Sequence, residues 1–107
     1  VGHNTATIRE SLLEEAFALG EKFITASKEH YDPGIIGPFC LQTCIDKDMN
    51  YSIYDVAPRV GGGTNVHMSV GHPYGNSTWR KPMSSGRRIA MELRNAVEQD
   101  RLDEVLT

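Results

Sequence analysis

The sequence lacks a long apolar run, an excess of basic residues and a cysteine framework, and each absence excludes a class of protein. No stretch approaches the ~20 apolar residues of a membrane-spanning helix, so we expect no membrane partner. Eleven basic residues against 14 acidic ones give a formal charge of −3, which argues against a nucleic-acid surface. Two cysteines without secretory features favour reduced thiols and a cytoplasmic location.

The N-terminus also lacks the basic and apolar regions of a signal peptide. The 107 residues are enough for one domain at most. Because the chain begins with Val1 and not with Met, we expect a processed product or a piece of a longer protein.

Two amphipathic helices are predicted, over residues 11–30 and 84–99. In the first, apolar residues repeat every three or four positions. Ser11 and Glu14 have the spacing of a capping box, and Asp32-Pro33-Gly34 is expected to end the helix. Ser84 or Ser85 caps the second helix. A short helical tail is expected over Leu102 to Leu106.

An antiparallel hairpin is predicted between the helices, with strands over residues 35–45 and 50–57. Alternation along the strands predicts that Cys40, Gln42 and Cys44 share one face, and that one face of the partner strand carries Tyr51, Ile53 and Asp55. Gln42 and Asp55 lie about equally far from the turn, so they are expected to converge. The fold class is α+β, with Phe17, Phe23, Leu41 and Ile45 expected between helix and sheet.

The link at residues 46–50 resembles the opening of a calcium-binding EF-hand loop. Tyr51 stands where that loop needs glycine and Ala57 where it needs glutamate, so a plain hairpin turn is favoured. A zinc site is a second alternative, on the residues Cys40, Cys44, His67 and His72. Their spacing is too long for a common zinc finger, so buried, inert thiols are favoured.

Residues 58–83 are rich in glycine and are predicted to form a long loop, with a short strand at Thr64–Val70. Within it, an arginine and consecutive glycines follow Asp55. A carboxylate can hold a divalent cation, and arginine and glycine N–H groups can hold phosphate. The segment 54–65 therefore suggests a nucleotide-phosphate site, although an ordinary glycine-rich turn is equally compatible with it.

Two further pairs have a functional and a structural interpretation. Arg87 and Arg88, in the first turn of the second helix, either contact phosphate or form a solvated face, and the solvated face is favoured. Tyr74 and Trp79 either stack on a base or pack under the loop, and packing is favoured.

Five motifs together resemble one family along essentially the whole chain. They are Ile8-Arg9-Glu10-Ser11-Leu12-Leu13, Gly37-Pro38-Phe39-Cys40-Leu41-Gln42, Ala57-Pro58-Arg59, Gly62-Gly63-Thr64-Asn65 and Gly86-Arg87-Arg88-Ile89-Ala90. In this order they resemble the C-terminal part of the archaeal formate-dependent 5-aminoimidazole-4-carboxamide ribonucleotide ligases, which are ATP-grasp enzymes of purine biosynthesis.

The resemblance implies that residues 1–107 form the C-terminal lobe of an ATP-grasp ligase and are a fragment of a larger enzyme. That enzyme formylates the aminoimidazole carboxamide ribonucleotide with formate and ATP, through formyl phosphate, and requires Mg²⁺. We expect the full-length enzyme to be a homo-oligomer. The isolated 107 residues lack the central domain that holds ATP, so they are expected to be inactive.

The resemblance also assigns roles to residues. Gln42 and Asp55 fall on the family's magnesium ligands, with Asp55 in place of a glutamate, and Arg59 falls on the arginine that steadies the transferring phosphoryl group. Asn4 is the match for an asparagine that contacts the ribonucleotide. The nucleotide-binding loop corresponds to the residues Gly62, Gly63, Thr64 and Asn65.

Two other functions remain open. One is a non-catalytic or degenerate ATP-grasp-like nucleotide-binding module, which the short length and Asp55 favour. The other is an ATP-grasp ligase for a different amine.

Overall fold

The computed structural model describes Asn4, residues 6–70 and residues 79–106, and these residues have the predicted α+β fold. Tertiary contacts divide them into two units, one formed by Ala6–Gly61 and the other containing the residues from Gly62 onward. The first unit holds a helix, α1, and a two-stranded antiparallel sheet, whereas the second is helical. The elements are α1 (Leu13–His30), β1 (Cys40–Ile45), β2 (Tyr51–Ala57), α2 (Thr64–Val70) and α3 (Ser85–Glu98), with single 3-10 turns at Glu10–Leu12 and Leu102–Glu104.

Helix α1 begins two residues later than predicted, and the predicted capping box at its start is wrong. A 3-10 turn leads into the helix, closed by the Leu12 N–H, which donates to the Arg9 carbonyl at 3.0 Å. Leu12 is the N-cap residue of α1, and no side chain caps it. The helix ends at His30, as predicted, because Asp32-Pro33-Gly34 turns the chain away.

Hydrogen bonds and a ring contact link α1 and its start to the segment after it and to the sheet. The Ser27 hydroxyl donates to the Ile24 carbonyl at 2.7 Å and accepts the Ile35 N–H at 3.1 Å, which ties the segment after the helix back onto it. The rings of Phe23 and Phe39 lie 4.8 Å apart between centroids. The Tyr51 hydroxyl of β2 donates to the Leu12 carbonyl at 3.1 Å, and so links the sheet to the start of α1.

Of the four residues expected in the core, three are half-buried, and the prediction for Phe17 is wrong. Phe17 is 55% exposed. At 100° per residue it lies about 60° around the helix from Gly20 and about 120° from Phe23, the two positions nearest Phe39. The stripe that faces the rest of the unit is therefore narrower than the apolar pattern of the sequence.

Strand β1 begins at Cys40, five residues later than predicted. The preceding residues contact α1, through the Ile35 N–H and the Phe39 ring, and they do not pair with β2. Pro38 has no N–H to contribute to a sheet. These apolar residues therefore have the composition of a strand, but they pack on a helix and form no strand-to-strand hydrogen bonds with β2.

The hairpin turn at residues 46–50 is the ordinary turn that the sequence favoured. The Met49 N–H donates to the Asp46 carbonyl at 3.1 Å, and Met49 itself has a φ of 67°. A four-residue turn whose last residue is left-handed is a common short hairpin connection. The Asp46 carboxylate accepts the backbone N–H groups of Asp48 and Asn50 at 2.8 and 2.9 Å.

In the second unit, the predicted strand at Thr64–Val70 is wrong, because this segment is the helix α2. Seven residues are too few for a stable isolated helix, so tertiary contact decides its conformation. One such contact is the Met83 N–H, which donates to the Met68 carbonyl at 3.1 Å and joins α2 to the segment before α3.

Helix α3 has the predicted cap at its start and an unpredicted motif at its end. The Ser84 hydroxyl accepts the Arg87 N–H at 3.2 Å. After the helix, Asp100 has a φ of 55°, and the Arg101 N–H donates to the Ala96 carbonyl at 2.8 Å. This is a Schellman motif with aspartate at the position that usually carries glycine.

We predict that Gly34→Ala destabilises the fold by about 2 kcal/mol. Gly34 has a φ of 93°, and a Cβ there would lie 2.6 Å from Lys28 Cγ and 3.3 Å from its backbone N and Cα. Gly37 is the matched control, because a Cβ there would meet no atom of the described residues within 4 Å. Urea unfolding measures both variants, and equal midpoints for the two would contradict the prediction.

We also predict a pH dependence for the contribution of Asp46. The backbone N–H and side-chain amide of Asn50, together with the Asp48 N–H, hold the pKa of Asp46 below its ordinary value. The stabilisation is therefore complete above the unfolded pKa of ~3.9 and is lost as the pH falls through the lower folded pKa. The difference in unfolding free energy between wild type and Asp46→Ala should therefore shrink as the pH falls from the unfolded pKa through the folded pKa of Asp46.

The control for this experiment is Asp48→Ala, because the Asp48 carboxylate pairs with the exposed Lys47 ammonium. If the two variants lose the same stability at every pH, the carboxylate of Asp46 does not stabilise the turn.

Candidate functional site

The candidate site lies on the hairpin, where β1 and β2 pair through an irregular register. Near the turn Ile45 pairs with Tyr51 and Thr43 with Ile53, but the next residue of β1, Gln42, pairs with Asp55. Tyr54 is therefore an extra residue in β2, which makes this position a β-bulge.

The bulge changes which residues share a face of the sheet. Directly paired residues point to the same face, so Asp55 lies on the face of Gln42 and Cys44, together with Ser52. Tyr51 and Ile53 lie on the other face. The prediction that Tyr51, Ile53 and Asp55 share one face is therefore wrong, because it assumed a regular strand.

The bulge also separates two kinds of surface. The opposite face carries mostly apolar side chains, namely Leu41, Thr43, Ile45, Tyr51, Ile53 and Val56. The face of the candidate site carries the amide, the carboxylate and small residues, namely Cys40, Gln42, Cys44, Ser52, Asp55 and Ala57. We name this second set the polar face.

Gln42 and Asp55 converge, as the sequence predicted. The Gln42 side-chain amide donates from Nε2 to Asp55 Oδ2 at 2.5 Å. A hydrogen bond to a carboxylate is stronger than one between neutral groups. The contact engages one nitrogen and one oxygen, so Gln42 Oε1 and Asp55 Oδ1 remain as acceptors on the same pair of side chains.

Arg59 follows β2 in the same unit, four residues beyond Asp55, and its side chain is exposed. Its Nη1 donates to the neighbouring Val60 carbonyl at 3.0 Å, which leaves most of its N–H donors for another acceptor. In the other unit, Asn4 is exposed and lies in an irregular segment. Its predicted role in binding the ribonucleotide stays a prediction.

The predicted nucleotide-binding loop belongs to the second unit. Gly62 and Gly63 form a turn, and α2 begins at Thr64. The Gly63 carbonyl accepts the Val66 N–H at 3.1 Å, so the turn closes directly into the helix. The side chain of Asn65 lies outside the described residues.

The other metal and anion alternatives receive less support. Among the described residues, no group of three or more histidine, cysteine, aspartate and glutamate side chains could hold a metal ion. His72 and the side chain of His67 lie outside the described residues. Cys40 is half-buried, but Cys44 is exposed, so its expected burial is wrong.

Of the two arginines in the first turn of α3, the exposed Arg87 fits the solvated-face interpretation, whereas Arg88 is half-buried. The Arg88 Nη2 lies 2.6 Å from Glu92 Oε1, one helical turn away, and Arg87 is exposed. For Trp79, half-buried, no partner of its indole Nε1 is found among the described residues. Tyr74 lies outside them. Of the described helices, none combines the length and the apolar character needed to cross a membrane.

An α+β chain with a paired amide and carboxylate on a bulged hairpin matches one domain family over its whole length. The match covers residues 1–107, and the family is described as a domain of unknown function, DUF1297. The chain belongs to this family.

Curated proteins from archaea are similar over the same length. A protein of Methanobrevibacter smithii is 41% identical over 106 residues, which cover 99% of this chain and 29% of that protein. One from Cenarchaeum symbiosum is 39% identical over 107 residues, all of this chain and 31% of its own length. One from Methanocaldococcus jannaschii is 39% identical over 106 residues, again 29% of its length.

Each of these three relatives is named 5-formaminoimidazole-4-carboxamide-1-(beta)-D-ribofuranosyl 5'-monophosphate synthetase. The resemblance to these archaeal synthetases is therefore confirmed, and the chain spans about 30% of their length.

Proposed function

We propose that this chain is part of a ligase of purine biosynthesis that formylates 5-aminoimidazole-4-carboxamide ribonucleotide with formate and ATP. The observation that carries the proposal is the 38–41% identity, over the whole chain, to synthetases named for the formylated product. Formate first attacks the terminal phosphorus of ATP to give formyl phosphate and ADP. The amine of the ribonucleotide then attacks the formyl carbon, and inorganic phosphate leaves as the amine loses a proton. The chain acts as the C-terminal lobe of an ATP-grasp enzyme.

The polar face supports a magnesium site in this proposal. Mg²⁺ prefers oxygen ligands held in nearly octahedral geometry, and Gln42 Oε1 and Asp55 Oδ1 are two such oxygens on side chains already in contact. When bound, Mg²⁺ neutralises charge on the phosphates of ATP. The hydrogen bond between the two side chains orients the amide, so that its oxygen and not its nitrogen is left for the cation.

Arg59 supports the transfer of the phosphoryl group. A guanidinium presents five donors in a planar fork that matches phosphate oxygens, and Val60 engages only part of it. Its positive charge gives the greatest stabilisation in the transition state, where negative charge accumulates. In the proposed enzyme, Asn4 contacts the ribonucleotide and the segment Gly62, Gly63, Thr64 and Asn65 binds nucleotide.

The second candidate is a nucleotide-binding module without ligase activity. The observation that favours it is Asp55, whose side chain is one methylene shorter than the glutamate expected from the family. The shorter Asp55 side chain nevertheless reaches Gln42, through the 2.5 Å hydrogen bond.

The first functional prediction concerns Asp55. The longest natural polypeptide that contains these residues should form the formylated ribonucleotide only with ATP, formate and Mg²⁺ together. Asp55→Ala should abolish turnover, because it removes a carboxylate ligand, whereas Asp55→Glu should preserve or improve it. Product formation by chromatography measures all three proteins.

Asp48→Ala is the matched control, since Asp48 is an exposed carboxylate of the same hairpin. An inactive wild type at saturating Mg²⁺ would favour the binding module. Unchanged turnover in Asp55→Ala would remove Asp55 from the metal site.

The second functional prediction concerns Arg59. Arg59→Ala should lower kcat by roughly 10²–10³-fold with a smaller change in KM, because the charge it meets is greatest in the transition state. Lys47→Ala removes an exposed cation from the same unit and should leave both constants near the wild-type values. A rise in KM at unchanged kcat would show that Arg59 binds the ground state only.

A further inference from the structure

Tyr54 is the extra residue of the bulge, and two properties set it apart. It is 70% exposed, although a tyrosine in a strand normally packs against a neighbour. It also precedes Asp55, and in a bulge both residues of the longer strand face the same partner residue. Tyr54 and Asp55 therefore both oppose Gln42.

The register shows that the bulge is not needed to bring Gln42 and Asp55 together. If Tyr54 were deleted, a regular ladder from the turn would pair Thr43 with Ile53 and then Gln42 with Asp55, as now. A regular ladder would thus retain the proposed metal pair with one residue fewer. What the extra residue adds is an exposed tyrosine directly before Asp55 in β2.

We propose that Tyr54 contacts the substrate, by stacking on the planar aromatic ring that carries the reacting amine. The inference rests on the proposed function. Bulges often lie beside active sites, where they change the direction of a side chain. Tyrosine provides a flat ring for stacking at low cost in conformational entropy.

The chemistry of the reaction selects which ring is near. The amine is bonded directly to the imidazole ring, so the ring must lie next to the formyl carbon when the amine attacks. The formyl group is carried on a phosphate that Gln42 and Asp55 help to position. The adenine of ATP, in contrast, is separated from its terminal phosphate by a ribose and two further phosphates, so it lies farther from Tyr54.

The test measures binding and kinetics in the longest natural polypeptide that contains this chain. Calorimetry gives Kd for 5-aminoimidazole-4-carboxamide ribonucleotide and for Mg·ATP, and steady-state kinetics gives the KM values. Tyr54→Ala should weaken the ribonucleotide roughly 5- to 150-fold, the range expected for the loss of one stacked base. Its effect on ATP should stay within about twofold. Tyr54→Phe keeps the ring and should behave like wild type.

Two controls separate this role from a structural one. Tyr31→Ala removes a tyrosine of the same unit that is 77% exposed and lies just beyond α1, and it should change neither ligand. Deletion of Tyr54 keeps the pairing of Gln42 with Asp55 and should reproduce the loss of ribonucleotide binding. If Tyr54→Ala weakens both ligands equally, or neither, the proposal is wrong.

The outcomes also distinguish the two proposals. If wild type turns over and Tyr54→Ala binds the ribonucleotide normally, the ligase function stands and the role of Tyr54 fails. If wild type binds the ribonucleotide without turnover, the ligase function fails, and the Kd of Tyr54→Ala alone decides the role of Tyr54. If wild type does not bind the ribonucleotide, both proposals are overturned.

Discussion

The register of the hairpin is the constraint on which the candidate site depends. Strand pairing decides which side chains share a face, and a slip of one residue exchanges the faces. Here the turn at Asp46 sets the register at one end of the ladder, and one extra residue resets it beyond Thr43. If Tyr54 were present but paired regularly with Gln42, Asp55 would oppose Leu41 on the apolar face. With the bulge, Asp55 meets Gln42 through a charge-assisted hydrogen bond.

The turn and the link to α1 hold this arrangement in place. The Asp46 carboxylate accepts the N–H groups of Asp48 and Asn50, and this fixes the position of the turn between the strands. The Tyr51 hydroxyl then anchors the first residue of β2 to the start of α1. Both anchors lie at the turn end of the ladder. The bulge lies farther from the turn, next to the candidate metal ligands Gln42 and Asp55.

Much of this architecture can be predicted from the sequence, and the failures have physical causes. The end of α1 at His30, the Ser84 cap and the convergence of Gln42 with Asp55 follow from local patterns. The convergence was predicted from equal distances to the turn, which tolerate an error of one residue. The prediction of which residues share a face was wrong, because alternation presumes a regular strand and nothing in Ile53-Tyr54-Asp55 marks an inserted residue.

Tertiary contact explains the other differences. Residues 35–39 have the composition of a strand but pack on α1, and Thr64–Val70 contains β-branched residues but is helical. Phe17 fits the apolar repeat but lies at the edge of the contact. In each case the decisive partner is distant in sequence. The functional role of Tyr54 was missed for a related reason, since its exposure is evident only once the bulge is known.

We propose that Gln42 and Asp55 form one cation site on the polar face. Paramagnetic broadening of NMR signals by Mn²⁺, used in place of Mg²⁺ with ATP present, tests this most directly. We predict that the Gln42 side-chain amide and the backbone signal of Asp55 broaden first, at Mn²⁺ levels that leave Asp46 and Asp48 unaffected. First broadening at those two turn carboxylates, with Gln42 and Asp55 unchanged, would contradict it.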